Sequence, residues 1–310
     1  MKIHAHRALS WEIGDFRAFY RQQIRQLTPQ SLTADPGSAQ SGSDMEEGTV
    51  AALREVDGKV HLVLVEDREI KVRGIGRINP IRLLIDAKIG ETLTIGQKEF
   101  LLLHPGLPEF TSGMRRRAQI ITPKDASLIC TRLGLGTGHR VLEAGLGSAG
   151  MALHIAHSIG GSGLLVSIEL RPEHAAVALE NLELARAAWE GFPHFHLIEG
   201  DATDAACAAA ANEAAGGSRF DAIIIDLPEP WDAVPHLAPL LQVGGRLSCY
   251  CPVSSQLERA WEACEEAGLA IEWAGERIDR GWTKASRGGV RPGNDPMGHT
   301  AFILVAQRLS

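Results

Sequence analysis

The 310-residue chain is short of cysteine, of long apolar runs and of net positive charge, and each shortage narrows what it can be. Five cysteines form an odd set without framework spacing, which argues against a disulfide scaffold and fits a reducing compartment. Cys249 and Cys251, in "GRLSCYCP", fall on one face of a strand; with no CxxC pair or second cluster to complete a metal site, they read as core packing. The opening "MKIHAHRALSWEIGDFRAFYRQQ" has no apolar h-region, and no uninterrupted run of about 18 apolar residues follows, so the expectation is a cytoplasmic protein without a membrane partner. A formal charge of −7 weighs weakly against nucleic acid binding. What remains, 45% apolar and 22% charged residues, is ordinary for a soluble globular protein with core enough for one large domain and a small one.

Three regions follow from the pattern. Residues 1–48 read as one or two helices, with Trp11, Phe16 and Tyr20 as anchors, running into a linker of small, polar and acidic residues, "TADPGSAQSGSDMEEG". Residues 49–104 alternate in short β segments, "KVHLVLVED" and "ETLTIGQKEFLLL", and predict a small β domain. Residues 105–310 alternate strands with alanine-rich helices. "HRVLEAG", "GLLVSIE", "HFHLIEG", "FDAIIIDL", "GGRLSCYCP", "AIEWAGERI" and "HTAFILVAQRL" supply up to seven strands. The fold class expected is therefore α/β, a doubly wound, mostly parallel Rossmann-like sheet ending in an antiparallel hairpin.

Ligands in such sheets bind at the carboxyl ends of the strands, near the switch point. After the first strand, Gly145, Gly147 and Gly150 make a turn into a helix, a layout that lets backbone approach a nucleotide-like ligand. The spacing fits G-x-G-x-x-G, a weak signal by itself, and no lysine follows to make a P-loop. Glu143, two residues before the first glycine, is an acidic group where a cationic ligand is oriented. Glu169 closes the second strand, placed to accept from ribose hydroxyls. Asp201 in Gly-Asp-Ala follows the third strand, where it suits an adenine amino group or a helix cap; Asp226 follows the fourth, as a site residue or a turn former before Pro228. An adenosine bearing a positive centre fits this series, and the cofactor expected is S-adenosylmethionine. Basic residues cluster despite the net charge: Arg115, Arg116 and Arg117; Lys71, Arg73, Arg77 and Arg82; Arg280, Lys284, Arg287 and Arg291.

Five stretches, "VLEAGLGSAG", "SIELRPEH", "FDAIIIDLPEPW", "GGRLSCYCP" and "RPGNDPMGHTAFILVAQRL", together with "LHPGLPEFTSGMRRRAQIITPKDAS", resemble the transfer RNA adenine-58 N1-methyltransferase family of the TrmI and Trm61 type. The resemblance is strong from Pro105 onward, covers roughly 61–310, and leaves 1–48 outside. It implies methylation of adenine N1 in tRNA, a homotetramer, and a set of roles. Gly145, Leu146, Gly147 and Ser148 would line the methionine end of the cofactor, Ile121 and His174 the pocket edge, Glu169 the ribose, and Asp201 with Ala202 the adenine. Asp226 would be the catalytic aspartate, also touching cofactor. Arg115, Arg116, Arg117, Thr122, Arg291 and His299 would face the RNA.

Two residues depart from the family pattern: Thr122 stands where a tyrosine usually precedes Pro-Lys-Asp, and Asn294 where a histidine usually follows Arg-Pro. Stacking on a base contributes roughly 1–3 kcal/mol, so the first change bears on the target base. Three alternatives remain at this point: action on another RNA position, action on a small molecule, and a non-catalytic RNA-binding subunit.

Overall fold

The computed structural model describes residues 45–310 apart from 287 and 295; the expected N-terminal helices and most of the linker lie outside them. The chain divides into two compact units between Gly113 and Met114. That is further on than the expected 104/105, because the helix at Leu107–Gly113 packs on the strand Val60–Leu64. Gly113 lies against Val60 and Leu62, where a Cβ would stand 3.0 Å from Leu62 Cγ. At the other end, Met45 is fully buried in the first unit's core, so that core begins before the expected Thr49.

The first unit holds β1 (Val50–Glu55), β2 (Val60–Leu64), β5 (Thr92–Ile95) and β6 (Lys98–Leu103) in an antiparallel sheet of order β2-β1-β6-β5. A separate hairpin, β3 (Ile70–Val72) with β4 (Gly76–Ile78), is not hydrogen-bonded into that sheet but packs Ile70, Val72 and Ile78 on the same core. Short helices α1 (Pro80–Leu84) and α2 (Leu107–Gly113) complete the unit. The α1 start follows from Asn79, whose side chain accepts from Arg82 N, and from Pro80 at the first turn. Leu53, Phe100 and Leu102 fill the core.

The second unit is the doubly wound sheet expected from the strand–helix alternation. Seven strands lie in the order β12-β15-β11-β10-β7-β8-β9. They are β7 (Arg140–Ala144), β8 (Leu164–Glu169), β9 (His194–Glu199), β10 (Phe220–Ile225), β11 (Leu241–Cys251), β12 (Ala270–Gly275) and β15 (Phe302–Gln307). Helices α3 (Pro123–Leu133), α4 (Gly150–Ile159), α5 (Pro172–Ala188), α6 (Ala205–Ala214), α7 (Pro230–Leu237) and α8 (Ser254–Glu266) accompany them. β10, β7, β8 and β9 pair in parallel, and their near-continuous burial in β7, β8 and β10 is what a sheet covered on both faces requires. β15 runs antiparallel between β11 and β12, so the sheet ends in the expected antiparallel pair, β12 with β15, with β12 as the outer strand. A small hairpin, β13 (Trp282–Lys284) with β14 (Val290–Pro292), lies in the segment linking β12 to β15. Cys249 and Cys251 are both fully buried.

Strand order reverses beside β7: β8 and β9 lie on one side, β10 and β11 on the other. The crevice at such a reversal is where an open α/β sheet offers its binding site, so the carboxyl ends of β7 and β10 define where to look. Among the described residues no helix is long and apolar enough to cross a membrane.

Candidate active site

At that crevice a pocket is lined by Gln119, Ile120 and Ile121, by the turn Gly145–Ser148, by Gly150 and Met151, and by Asp226. The turn's shape is set by its glycines. Gly145 has φ 95°, and a Cβ there would collide with the Asp226 carbonyl oxygen. That close approach is held by Asp226 N donating to Ala144 O (2.9 Å) and Gly145 N donating to Ile168 O (2.9 Å). Gly147 has φ 57°, and Gly150 abuts Ile120, where a Cβ would stand at 2.7 Å. Bare backbone is thereby brought to the pocket wall from both sides.

Three carboxylates lie within electrostatic reach of one another at these strand ends, and of them Asp226 lines the pocket. Glu169, 3% exposed, accepts at Oε2 from Gly147 N (2.7 Å) and at Oε1 from Arg171 N (2.9 Å), so it braces the glycine turn. Glu143 is 1% exposed, and Ser167 Oγ donates to its Oε2 (2.7 Å), whereas its Oε1 has no partner. Burial pushes the Glu143 carboxyl up to about 8; the Ser167 hydrogen bond opposes this, and the charges of Asp226 and Glu169 add to it. Burial likewise pushes Asp226 up to about 7, the Glu169 charge reinforcing it and Arg171 opposing it. Asp226 at the pocket wall, with Glu143 and Glu169 close by but outside the lining, makes a cluster of mutually repelling carboxylates that suits a cation and disfavours a pyrophosphate.

Of the residues singled out in the sequence, Ile121, Gly145, Leu146, Gly147, Ser148 and Asp226 share the pocket wall; Glu169, His174, Asp201 and Ala202 do not line it. Ser148 spends its hydroxyl internally, accepting from Arg117 N and Ala118 N (both 3.0 Å). Asp201 is exposed and accepts at Oδ1 from Thr203 N (2.9 Å) and Thr203 Oγ1 (2.8 Å), bonds that hold its carboxyl below the usual range. The α6 cap is instead Asp204, which accepts from Ala206 N (3.0 Å). His174, in the first turn of α5, has a buried Nδ1 without a partner. Gln119, Ile120 and Met151 join the pocket wall without having been named from the sequence. Gly150 carried a signal as the third turn glycine; the 119–120 stretch carried none, since only the fold brings it across.

The Arg115–Arg117 segment borders the pocket through its backbone. Arg115 N donates to Asn181 Oδ1 and Asn181 Nδ2 returns to Arg115 O (both 2.9 Å), while the three side chains are exposed. Arg115 pairs with Glu180. In the first unit, Arg77 pairs with Glu69 (3.4 Å) and Arg82 with Asp67 (3.8 Å), so part of that basic cluster is neutralised locally. Arg291 donates to Asn294 Oδ1 (3.0 Å). His299 is engaged at both ring nitrogens, with Glu276 Oε2 (2.7 Å) and Pro252 O (3.0 Å), acceptors that raise its pKa. Thr122 Oγ1 donates to Asp125 Oδ2 (3.0 Å).

A family model described as "tRNA methyltransferase complex GCD14 subunit" matches residues 100–273, more than half of the chain. The chain belongs to this tRNA methyltransferase family. The tRNA (adenine(58)-N(1))-methyltransferase TrmI of Thermus thermophilus is 33% identical over 258 residues, covering 83% of this chain and 95% of the relative. The tRNA (adenine(57)-N(1)/adenine(58)-N(1))-methyltransferase TrmI of Methanocaldococcus jannaschii is 29% identical over 230 residues, 67% of this chain and 78% of that one. Two solved structures share the fold: a SAM-dependent O-methyltransferase from Thermotoga maritima (TM-score 0.68, 24% identity, 86% of this chain and 96% of that one) and the tRNA (m1A58) methyltransferase TrmI from Aquifex aeolicus (TM-score 0.62, 22% identity, 86% and 99%).

Proposed function

We propose that this tRNA methyltransferase transfers a methyl group from S-adenosylmethionine to N1 of adenine 58 in tRNA. The observation that carries the reading is the carboxylate cluster at the pocket: Asp226 lines it, Glu169 braces its glycine turn through Gly147 N, and Glu143 lies close enough for their charges to interact. S-adenosylmethionine would supply two positive centres, a sulfonium and an ammonium, and an electrophilic methyl. Gly145, Leu146, Gly147 and Ser148, with Ile121, would bound its methionine end. Glu169 would take the ribose hydroxyls on its remaining lone pairs, Asp201 and Ala202 would border the adenine, and His174 the pocket edge.

For the substrate, adenine N1 already carries a lone pair, so attack needs alignment more than a strong base. Asp226 stands at the pocket wall with its backbone locked against Gly145. As a carboxylate it would accept from the N6 amino group, hold N1 in line and offset the positive charge that develops on the ring. Its raised pKa, near neutrality, would fall as a cation comes beside it, so the charged form would be favoured as the ring gains its positive charge. Arg115, Arg116, Arg117, Thr122 and Arg291 would meet the RNA; His299, with both nitrogens engaged, would offer only its ring face. A homotetramer working in the cytoplasm belongs to the same reading. Incubation with S-adenosylmethionine and total tRNA, followed by mass spectrometry of nucleosides, tests it: N1-methyladenosine should appear, and its absence would refute the assignment.

A further inference from the structure

Just past the pocket residue Ile121, the second unit buries an ion pair, Lys124 with Asp125, to which the proposed chemistry gives no role. Lys124 and Asp125, 3% and 0% exposed at their side chains, open α3. Lys124 Nζ directs its three protons to Asp125 Oδ1 (2.6 Å), Arg277 O (2.7 Å) and Thr300 Oγ1 (2.6 Å). Asp125 Oδ2 accepts from Thr300 Oγ1 (2.5 Å), Thr122 Oγ1 (3.0 Å) and Tyr250 OH (3.2 Å). Every proton of the cluster therefore has an acceptor, the condition under which a buried ion pair holds one geometry.

What it joins is specific. Arg277 and Thr300 each lie one residue inside the ends of the segment between β12 and β15, and α3 and the end of β11 are its anchors. Two further bridges close the same base: Glu276 with His299 (2.7 Å), and Asp279 with Met297 through paired backbone bonds (3.1 and 2.8 Å). Beyond the base, Gly293 N donates to Gly281 O (2.7 Å), and β13 pairs with β14 at the tip. That tip exposes Arg280, Lys284 and Arg291, with Trp282 64% exposed beside them. Cations with an adjacent aromatic match phosphates and an unstacked base. At the anchored end, Thr122 follows the pocket residue Ile121, and burial, then the Asp125 charge and least of all the Asp226 charge push the Tyr250 hydroxyl pKa up.

We propose that Asp125, with Lys124 and Thr300, is a positioning element for the RNA: it fastens both ends of the 276–300 segment to the start of α3 and so fixes the cationic tip relative to Asp226. The proposal rests on the reading that the substrate is tRNA. None of the three residues lines the pocket, so the cofactor should not sense them.

Thr300→Val removes the donor to Asp125 and the acceptor for Lys124 at nearly constant volume; Thr300→Ser keeps both. Glu276→Gln, on the exposed side of the base, is a milder second variant. Hydrogen exchange should show faster exchange across 276–300 in Thr300→Val, the Kd for a tRNA transcript should rise about tenfold, and the Kd for S-adenosylmethionine should stay within about twofold. Thr300→Ser should restore the RNA affinity, and Glu276→Gln should weaken it about threefold. Unchanged exchange, equal losses for RNA and cofactor, or a serine variant as poor as valine would overturn the proposal. A wild type that binds no tRNA would overturn both this role and the tRNA assignment, whereas tRNA binding that is indifferent to Thr300→Val would overturn the clamp alone.

Discussion

Replacing Glu143 by glutamine should make the ligand-free protein more stable and a poorer host for a cation. In the folded chain the Glu143 carboxyl sits near 8 against an ordinary 4.5, chiefly through burial. A carboxyl raised on folding costs nothing below its unfolded pKa; the cost then grows as pH rises and is complete above the folded pKa. Between about pH 5 and pH 8 the slope is about 1.4 kcal/mol per pH unit, so at pH 7 Glu143 costs about 3 kcal/mol. Glutamine keeps the shape and the acceptor for Ser167 Oγ, and its amide is left without a partner much as the present Oε1 is. Urea unfolding of both proteins from pH 5 to pH 8.5 would measure this. The wild type should lose stability relative to Glu143→Gln by roughly 3–4 kcal/mol across that range, and the variant should bind S-adenosylmethionine at least tenfold more weakly. Parallel stability curves would show that Glu143 does not titrate in this window and would remove it from the account of the pocket's acidity.

Three further predictions follow from the same geometry. Gly145→Ala must bear a positive φ and displace the Asp226 peptide, while Gly244→Ala, with φ 86° and open space around it, bears only the strain of roughly 1–2 kcal/mol; denaturation should show the Gly145 variant worse by at least about 1–3 kcal/mol, and equal losses would disprove the close approach. Cofactor binding should draw Asp226 and Glu143 toward ionisation, releasing roughly one proton at pH 7, read by calorimetry in buffers of different ionisation enthalpy; no buffer dependence would contradict the pairing of this carboxylate cluster with a cation. Asp226→Asn keeps an acceptor but not the charge, and should lower the single-turnover rate about 10²–10³-fold with a much smaller change in cofactor Kd; a near-normal rate would reduce the carboxylate to a positioning role.

The parallel sheet was legible because its strands are short apolar runs separated by alanine-rich helices, and the strand-end residues Gly145 and Asp226 could be picked out because a doubly wound sheet exposes its carboxyl edge. The place of β15 was less legible: its composition suits an outer arm or an interior strand alike, and only pairing with both β11 and β12 decides. The pocket wall at Gln119 and Ile120 and the clamp at Asp125 were not readable at all. The clamp joins Asp125 to Tyr250 and Thr300 across 125 and 175 residues of chain, a closeness no local pattern encodes. Asp201 shows the converse: a Gly-Asp-Ala turn invited a ligand, and the carboxylate already spends one oxygen on Thr203.

The most direct test of the account is primer extension on a single tRNA transcript treated with the protein and S-adenosylmethionine. N1-methylation blocks the Watson–Crick edge of adenine, so reverse transcriptase should stop immediately before adenine 58, and the stop should vanish when that adenine is replaced by guanine or when Asp226→Ala protein is used. Full-length extension with active-site-competent wild-type protein, or a stop elsewhere that survives the guanine replacement, would contradict it.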